Sequence, residues 1–234
     1  MSQPISAVGD NRILTLPLPF RMGTVNCYLL QAGDGYVLID TGAPNARDIL
    51  SRELESLGCR PGTLTLIALT HGDFDHIGNA AYLRTAFGSK IAMHADDARI
   101  AEVGDMFVNR SKSNWILRAL IPRLIGFGRS ERFTPDVLLE DGSALSEYGL
   151  EARVIWLPGH SKGSIAILTA DGHLFCRDLF DNTKKPALNS LIDDRETAIQ
   201  SVAKLSTLGI GTVYPGHGKP FALDELSEDQ PGAA

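Results

Sequence analysis

Six consecutive positions, 71 to 76, hold two histidines and two aspartates, in the run Thr70-His71-Gly72-Asp73-Phe74-Asp75-His76-Ile77-Gly78. The run follows an apolar stretch, Leu64 to Leu69, that reads as a buried strand. Four candidate metal ligands at the mouth of a strand are a functional signal, because imidazole and carboxylate groups are what a bound ion needs. The rest of the chain is therefore read for whatever completes that site.

The flanking pattern is that of an α/β protein. Ile13 to Leu18, Thr24 to Leu30 and Tyr36 to Ile39 read as a β-meander with a tight turn at Gly33-Asp34-Gly35. Asp40-Thr41-Gly42 ends the third strand. Asn45 is a candidate cap for a helix carrying Ile49, Leu50, Leu54 and Leu57, which Gly58 stops. After the ligand run come a helix over Ala80 to Phe87, a strand over Lys90 to His94 and a helix over Ala95 to Val103. The second half repeats this grammar. Strands are expected at Val137 to Leu139, Leu150 to Leu157, Ser164 to Thr169 and His173 to Cys176. A helix should start with capping-box character at Asp193-Asp194-Arg195-Glu196 and run to about Leu208. A final strand, Gly211 to Tyr214, is closed by Pro215-Gly216-His217-Gly218. Two such halves predict two sheets packed face to face with helices outside, in one domain spanning 1–234. The tail from Leu226 is expected to fray.

Residues 104–135 stand apart. Trp115, Ile116, Leu117, Leu120, Ile121, Leu124 and Ile125 alternate with Arg110, Lys112, Arg118, Arg123, Arg129 and Arg132, against only Asp105 and Glu131. The segment reads as a helical insertion, broken near Pro122, with an apolar side on the core and a solvated basic face. The sharper alternative is a lid that greets an anionic or apolar substrate or rests on a membrane surface.

A formal net charge of −6 argues against broad nucleic-acid binding by bulk electrostatics. Met1 to Phe20 lacks the basic and apolar regions of a secretory signal, and no apolar run reaches the length of a membrane span. Cys27, Cys59 and Cys176 are scattered and odd in number, which fits core thiols in a reducing compartment. The cytoplasm is the expected location.

Of six histidines, four lie by strand ends in glycine-containing turns: His71, His76, His160 in Pro158-Gly159-His160-Ser161, and His217 in Pro215-Gly216-His217-Gly218. Asp178 follows the strand that ends at Cys176. Glycine beside a ligand lets the backbone approach an ion closely. His94 reads as a hydrogen-bonded structural residue, and His173, next to a hairpin turn, as exposed.

In this order the motifs resemble those of the metallo-β-lactamase superfamily, the αββα-sandwich metallohydrolases. The resemblance runs from Asp40 to His217 and implies a four-layer αββα sandwich of two mixed β-sheets. It implies two divalent metal ions. His71 and His160 would serve the first, Asp75, His76 and His217 the second, and Asp178 would bridge them, with Asp40 a supporting residue behind the ligands. Two metals about 3.5–4 Å apart can hold a hydroxide and lower its pKa towards neutrality. Asp75 would orient that nucleophile, and the second metal would stabilise the developing oxyanion.

The chain departs from the family's H-x-H-x-D-H pattern at Asp73, where the second histidine usually stands. Asp73 is read as a ligand of the first metal. A hard oxygen there shifts the preference from zinc towards iron or manganese, as in the flavodiiron branch. The alternatives are an aspartate that points away and leaves the first site weak or empty, and an intact zinc site. Arg177 stands where relatives commonly have glycine, and Asp181 is its candidate partner.

Fold does not decide the reaction. Asp178 stands where class B1 and B2 β-lactamases use cysteine, and class B3 enzymes lack that carboxylate. The short tail after His217 is read as too short for a glutathione-binding helical region, and no added nuclease or flavodoxin domain is expected. What remains is a compact hydrolase of a small ester, lactone or thioester. Phosphodiester hydrolysis at the same centre and iron-dependent oxidation of the sulfur dioxygenase type are the alternatives, with a non-enzymatic metal scaffold last. Lys162, Lys184 and Lys185, near His160 and Asp178, mildly favour a small-molecule substrate bearing a carboxylate or phosphate.

Overall fold

Strand alternation decides where the core lies. In β4 (Gly35–Ile39), Val37 and Ile39 face one side and Leu38 the other, and all three are fully buried. A strand buried on both faces belongs inside a layered structure, with a second sheet on one side and helices on the other. The computed structural model describes residues 6–8, 11–20, 23–108, 110, 120 and 127–226, and these build such layers.

The first sheet has seven described strands: β1 (Ser6–Val8), β2 (Asn11–Phe20), β3 (Gly23–Ala32), β4, β5 (Leu64–Ala68), β6 (Lys90–His94) and β7 (Val137–Leu139), lying in that order. β1 to β4 pair antiparallel, and β4 to β7 pair parallel. The parallel half needs crossovers. α1 (Arg47–Ser56) follows β4, α2 (Phe74–Ile77) and α3 (Ala80–Phe87) follow β5, and α4 (Ala95–Val103) follows β6. The second sheet joins β8 (Ala152–Trp156), β9 (Ile165–Thr169), β10 (His173–Asn182), β12 (Thr212–Gly218) and β13 (Phe221–Ala222), with β11 (Ala187–Leu188) paired to β10. Only β10 and β12 run parallel within it. α5 (Arg195–Leu205) covers its outer face, started by the Asp194 carboxylate, which accepts from Thr197 N at 3.1 Å. The chain is thus a four-layer αββα sandwich of two mixed sheets.

Three apolar layers hold it together. Tyr28, Val37, Ile39 and Leu66 meet Val154, Ile167, Phe175 and Tyr214 between the sheets. Tyr28, Phe175 and Tyr214 pack ring to ring, with centroids 4.6 to 5.4 Å apart. Burying each such ring stabilises the fold by about 1.5–3 kcal/mol. Leu50 and Leu54 of α1, Leu83 and Phe87 of α3 and Ile100 of α4 cover the outer face of the first sheet. Ala198, Val202 and Leu205 of α5 cover Leu174, Cys176 and Val213 of the second.

Several sequence expectations change in detail. Asn45 does not cap α1. Pro44 begins a 3-10 turn over Pro44–Ala46, and Ala46 precedes the helix without a side-chain cap. The strands expected to end at Cys176 and Tyr214 run on to Asn182 and Gly218, so Asp178 and His217 lie within strands. α5 ends at Leu205, before Leu208. His173 is buried rather than exposed. It shares the inward face of β10 with Phe175 and packs against Tyr214, ring centroids 5.6 Å apart. His94 is the hydrogen-bonded structural residue expected, accepting from Asp96 N at 3.2 Å and stacking on Trp156. The three cysteines are buried and free. Of the 104–135 segment, Lys112, Trp115, Ile116, Leu117, Arg118, Ile121, Pro122, Arg123, Leu124 and Ile125 lie outside the described residues, as does the tail beyond Leu226. No helix among the described residues is long and apolar enough to cross a membrane.

Candidate metal centre

The site forms at the ends of the interior strands β4 and β5 of the first sheet, against β10 and β12 of the second. Asp40 follows β4 directly, and the ligand run leaves the end of β5. The Asp40 carboxylate joins the two strand ends by accepting from Thr70 N and Thr70 Oγ1, each at 2.8 Å. α2 then turns Asp75 and His76 back over the strand ends, with Thr41 N and Oγ1 both donating to His76 O. His160 comes from the turn between β8 and β9, Asp178 from β10 and His217 from β12.

Each of these four imidazoles has its outer nitrogen occupied. His160 Nδ1–H donates to Leu191 O and His217 Nδ1–H to Thr24 O, both at 2.8 Å. His76 Nδ1 lies 3.0 Å from Asp40 Oδ2. His71 Nδ1 lies 3.1 Å from Thr70 Oγ1, whose own proton goes to Asp40. His160, His217 and His71 thus hold their Nδ1 protons against oxygen acceptors, His76 Nδ1 sits between Asp40 and Arg177, and all four rings turn Nε2 inward, as metal-binding histidines do.

The inward atoms surround carboxylates. Asp178 Oδ1 lies 3.5 Å from His76 Nε2, and its Oδ2 lies 4.0 Å from both His71 Nε2 and His160 Nε2. Asp75 Oδ2 lies 3.6 Å from His76 Nε2 and 4.0 Å from His217 Nε2. Asp73 Oδ2 lies 3.1 Å from His160 Nε2 and 3.8 Å from His71 Nε2. Three sets of ligand atoms lie within 4.8 Å of one another among the described residues: Asp40/His71/His76 behind the site, and His71/His160/Asp178 and Asp75/His76/His217 at it. Nε2 of His71, Nε2 of His76 and Oδ1 of Asp178 are buried without a hydrogen-bond partner. Buried polar atoms are normally satisfied, so orphaned donors converging on shared carboxylates fit one or two divalent cations.

Electrostatics point the same way. Burial opposes a charge on His76, yet Asp178 and Asp75 raise its pKa to about 10. Burial, with Asp178 beside it, raises Asp75 despite nearby His76. Burial also works against an anionic Asp178, but His76 and His217 hold it well below the carboxylate range. His71 is kept neutral by burial and by repulsion from His76 and His160. The centre thus favours a cation among its carboxylates, a role that a metal takes over by displacing protons.

Residues without a role in the sequence reading shape the site. Arg177 is entirely buried, with its Nε 2.5 Å from Asp40 Oδ2 and its Nη2 3.0 Å from His76 Nδ1. Asp40, not Asp181, is its partner. The register between β10 and β12 slips on either side of Arg177, a bulge that re-aims Asp178. Asp97 is buried and ties two ligand loops together. It accepts from Gly72 N at 2.8 Å, Ser161 Oγ at 2.7 Å and Gly163 N at 3.0 Å. Tyr28 Oη donates to Pro215 O at 2.6 Å, and Asn26 Nδ2 to Gly218 O at 2.9 Å, which anchors the turn bearing His217. A methyl group on Gly216 would overlap Asp178 Oδ1, so the close approach needs glycine there. In the sequence Asp97 stands only as part of the Asp96-Asp97 pair and Arg110 as one base of the 104–135 segment, so neither carries a signal of its own.

A cavity of about 880 Å³ opens over the centre. Asp73, Asp75, His160, Asp178 and His217 line its polar side, and Phe20, Met106, Leu191 and Ile192 its apolar side. Arg110 is the Lys/Arg side chain on its wall among the described residues. Lys184 and Lys185 are exposed and line neither this cavity nor its neighbour of about 640 Å³, where Lys162 lies beside Trp156.

The sequence profile of the metallo-beta-lactamase superfamily matches residues 21–217. The human metallo-beta-lactamase domain-containing protein 1 is 28% identical over 214 residues, 91% of this chain and 69% of its own. A Bos taurus protein named acyl-coenzyme A thioesterase MBLAC2 is 28% identical over 221 residues, covering 86% of this chain and 75% of its own. Among solved structures, TTHA1623 in a di-iron-bound form is similar with a TM-score of 0.68 and 28% identity, covering 89% of this chain and 94% of that one.

Proposed function

Because the chain belongs to the metallo-beta-lactamase superfamily, we propose that it is a metal-dependent hydrolase that cleaves a small ester, lactone or thioester. The observation that carries the reading is the set of four imidazoles, each held at Nδ1 and facing Asp178 or Asp75 with Nε2. His71, Asp73 and His160 would hold one divalent ion, Asp75, His76 and His217 the other, and Asp178 both. Zinc, iron or manganese bound there supplies an acidified water and a Lewis acid for the developing oxyanion.

The protein groups do the rest. Asp75 lines the cavity and keeps a carboxylate among the ligands, where it orients the attacking water and accepts its proton. Phe20, Met106, Leu191 and Ile192 offer an apolar wall for an acyl chain. Arg110 is engaged by two carboxylates, and Asp73, Asp75, Asp178, Asp181 and Asp193 all line the cavity. That balance supports an uncharged acyl carbonyl over a phosphodiester. The bovine relative's name, a thioesterase, supports a thioester as the target. Three buried free thiols support a reducing compartment such as the cytoplasm.

The test is a panel of chromogenic esters, thioesters, lactones, nitrocefin and bis-p-nitrophenyl phosphate, assayed with zinc, manganese and iron. Turnover of an acyl substrate is expected. Phosphodiester cleavage without acyl turnover would reverse the ranking. The carboxylate at Asp73 and the di-iron neighbour support one competing reading, iron-dependent oxidation. Substrate-dependent oxygen uptake with no hydrolysis would establish it instead.

A further inference from the structure

Arg110 reaches the polar side of the cavity from outside the ligand-bearing loops. Its Nη2 donates to Asp73 Oδ1 at 2.6 Å and lies 3.5 Å from His160 Nε2. Its Nε lies 3.3 Å from Asp193 Oδ2. Asp73 therefore faces a guanidinium with one oxygen and the imidazoles of His160 and His71 with the other. The second donor set differs. Behind His76 the guanidinium of Arg177 is matched by Asp40, and Asp75 has no arginine against it among the described contacts.

Resting on the reading of this site as a metal centre, we propose that Arg110 makes the two metal positions unequal. The position bounded by Asp75, His76 and His217 holds a divalent cation tightly. The position bounded by His71, Asp73 and His160 holds one loosely and exchangeably.

The reason is charge. Each position has two imidazoles, one carboxylate of its own and a share of Asp178. At the first, the charge of Asp73 is neutralised by a group that cannot lose its proton. The side chains of Arg110 and Asp73 are only 12% and 9% exposed, so water screens little of their field. A second cation among His71, Asp73 and His160 would stand close to that guanidinium and be repelled. Asp193 offsets the repulsion weakly, because its side chain is 34% exposed and screened. Arg110 is on this account a positioning residue. It makes occupancy of the first position depend on the free metal concentration.

The test titrates metal-free protein with Zn²⁺ against a chromophoric chelator, and with Co²⁺ followed by its d–d absorption. The wild type should show two classes of site about 100-fold or more apart in affinity. Arg110→Gln should tighten the weak class by about tenfold or more and leave the tight class within about threefold. Arg110→Lys, which keeps the charge, should retain the weak class as it is. Circular dichroism verifies that both variants are folded. Two equal classes in the wild type, or a weak class unmoved by Arg110→Gln, would overturn the proposal. Acyl turnover measured on the same loaded samples separates the two readings. Equal sites with turnover defeat only the inequality, whereas no metal uptake at all defeats the metal centre with it.

Discussion

Asp40 and Arg177 are the two non-glycine residues with positive φ among the described residues, at 59° and 46°, and they are bound to each other. Left-handed backbone at such residues is strained and persists only where the surroundings over-determine it. Here the surroundings are an ion pair with no solvent access, a Tyr28 ring 5.4 Å from the guanidinium, and three further contacts of Asp40 to Thr70 and His76. Burial opposes the charge on Asp40, but Arg177 and His76 hold its pKa well below the carboxylate range. The pair thus sits behind the ligands and fixes the β4 and β5 ends, His76 and the β10 bulge at once.

Breaking that pair from either side should be costly. Asp40→Ala leaves a buried guanidinium without a counter-ion, and Arg177→Met leaves a buried carboxylate. Each should lower stability by about 3–5 kcal/mol, and the double variant should lose clearly less than the sum. Arg177→Gly sharpens the point, because glycine relieves the left-handed strain while removing the charge. A net loss of stability in that variant shows that the ion pair outweighs the strain. Urea unfolding of the set decides it, and simple additivity would refute the pairing.

Asp97 is a second single point of failure. Its carboxylate accepts from both the His71–Asp73 loop and the His160–Gly163 turn. A methyl group on Gly163 would press into it, so the two loops have grown close around this side chain. Asp97→Ala should cost about 3 kcal/mol by leaving buried donors unpaired. It should also weaken metal binding by about 10–100-fold, the usual effect of losing a group that orients ligands. Chelator competition on protein shown to be folded is the measurement. Unchanged metal affinity would mean that the loops keep their geometry without it.

What could be read in advance follows from locality. His71, Asp75, His76, His160, Asp178 and His217 lie close together; glycines and prolines in the sequence mark the positions of His71, His76, His160 and His217, whereas Asp178 lies inside β10 with no such mark beside it. Helices α3 and α4 and strands β6 and β7 have the expected bounds, because turn residues flank them. Sequence proximity offers Arg177 only Asp181 as a candidate partner, because nothing local marks Asp40 in the opposite sheet as the nearer charge. Arg110 was one of six bases in a biased segment, and only the fold brings it to Asp73. A hairpin position predicts an exposed His173, but strand alternation turns it inward. Pairings between sheets carry no sequence signature of their own, and the charged ones decide the character of this site.

Glu131 offers a pH test away from the centre. Burial opposes its charge, but Arg47, Ser130 and Gly128 N hold its pKa below the ordinary 4.5. A proton therefore binds more weakly in the folded chain than in the unfolded one. The stabilisation is fully present above the ordinary value and lost as pH falls through the lowered folded value. Arg47 is partly exposed, so the contribution is at most about 1 kcal/mol. The stability difference between wild type and Glu131→Gln should be constant from pH 7 to about 5 and shrink below that. A difference independent of pH down to acid unfolding would remove the ion pair as its source.

Asp75 separates chemistry from architecture. Its side chain is 14% exposed in the cavity, and its ion-pair contacts among the described residues are to His76 and His217. Burial and Asp178 raise its pKa, which means that its negative charge strains the metal-free protein. Asp75→Asn keeps the shape and removes the charge. The metal-free variant should unfold at the same temperature as the wild type or higher, because a repelled carboxylate has become neutral. With metal supplied, turnover should fall by about 10²–10⁴-fold, since an amide can neither take a proton from the attacking water nor hold it by the same acceptor. Asp75→Ala should behave alike in activity. Calorimetry of the metal-free proteins and kcat for the loaded ones form the pair of measurements, and turnover within about threefold of wild type in either variant would end the assignment of Asp75 as the proton acceptor.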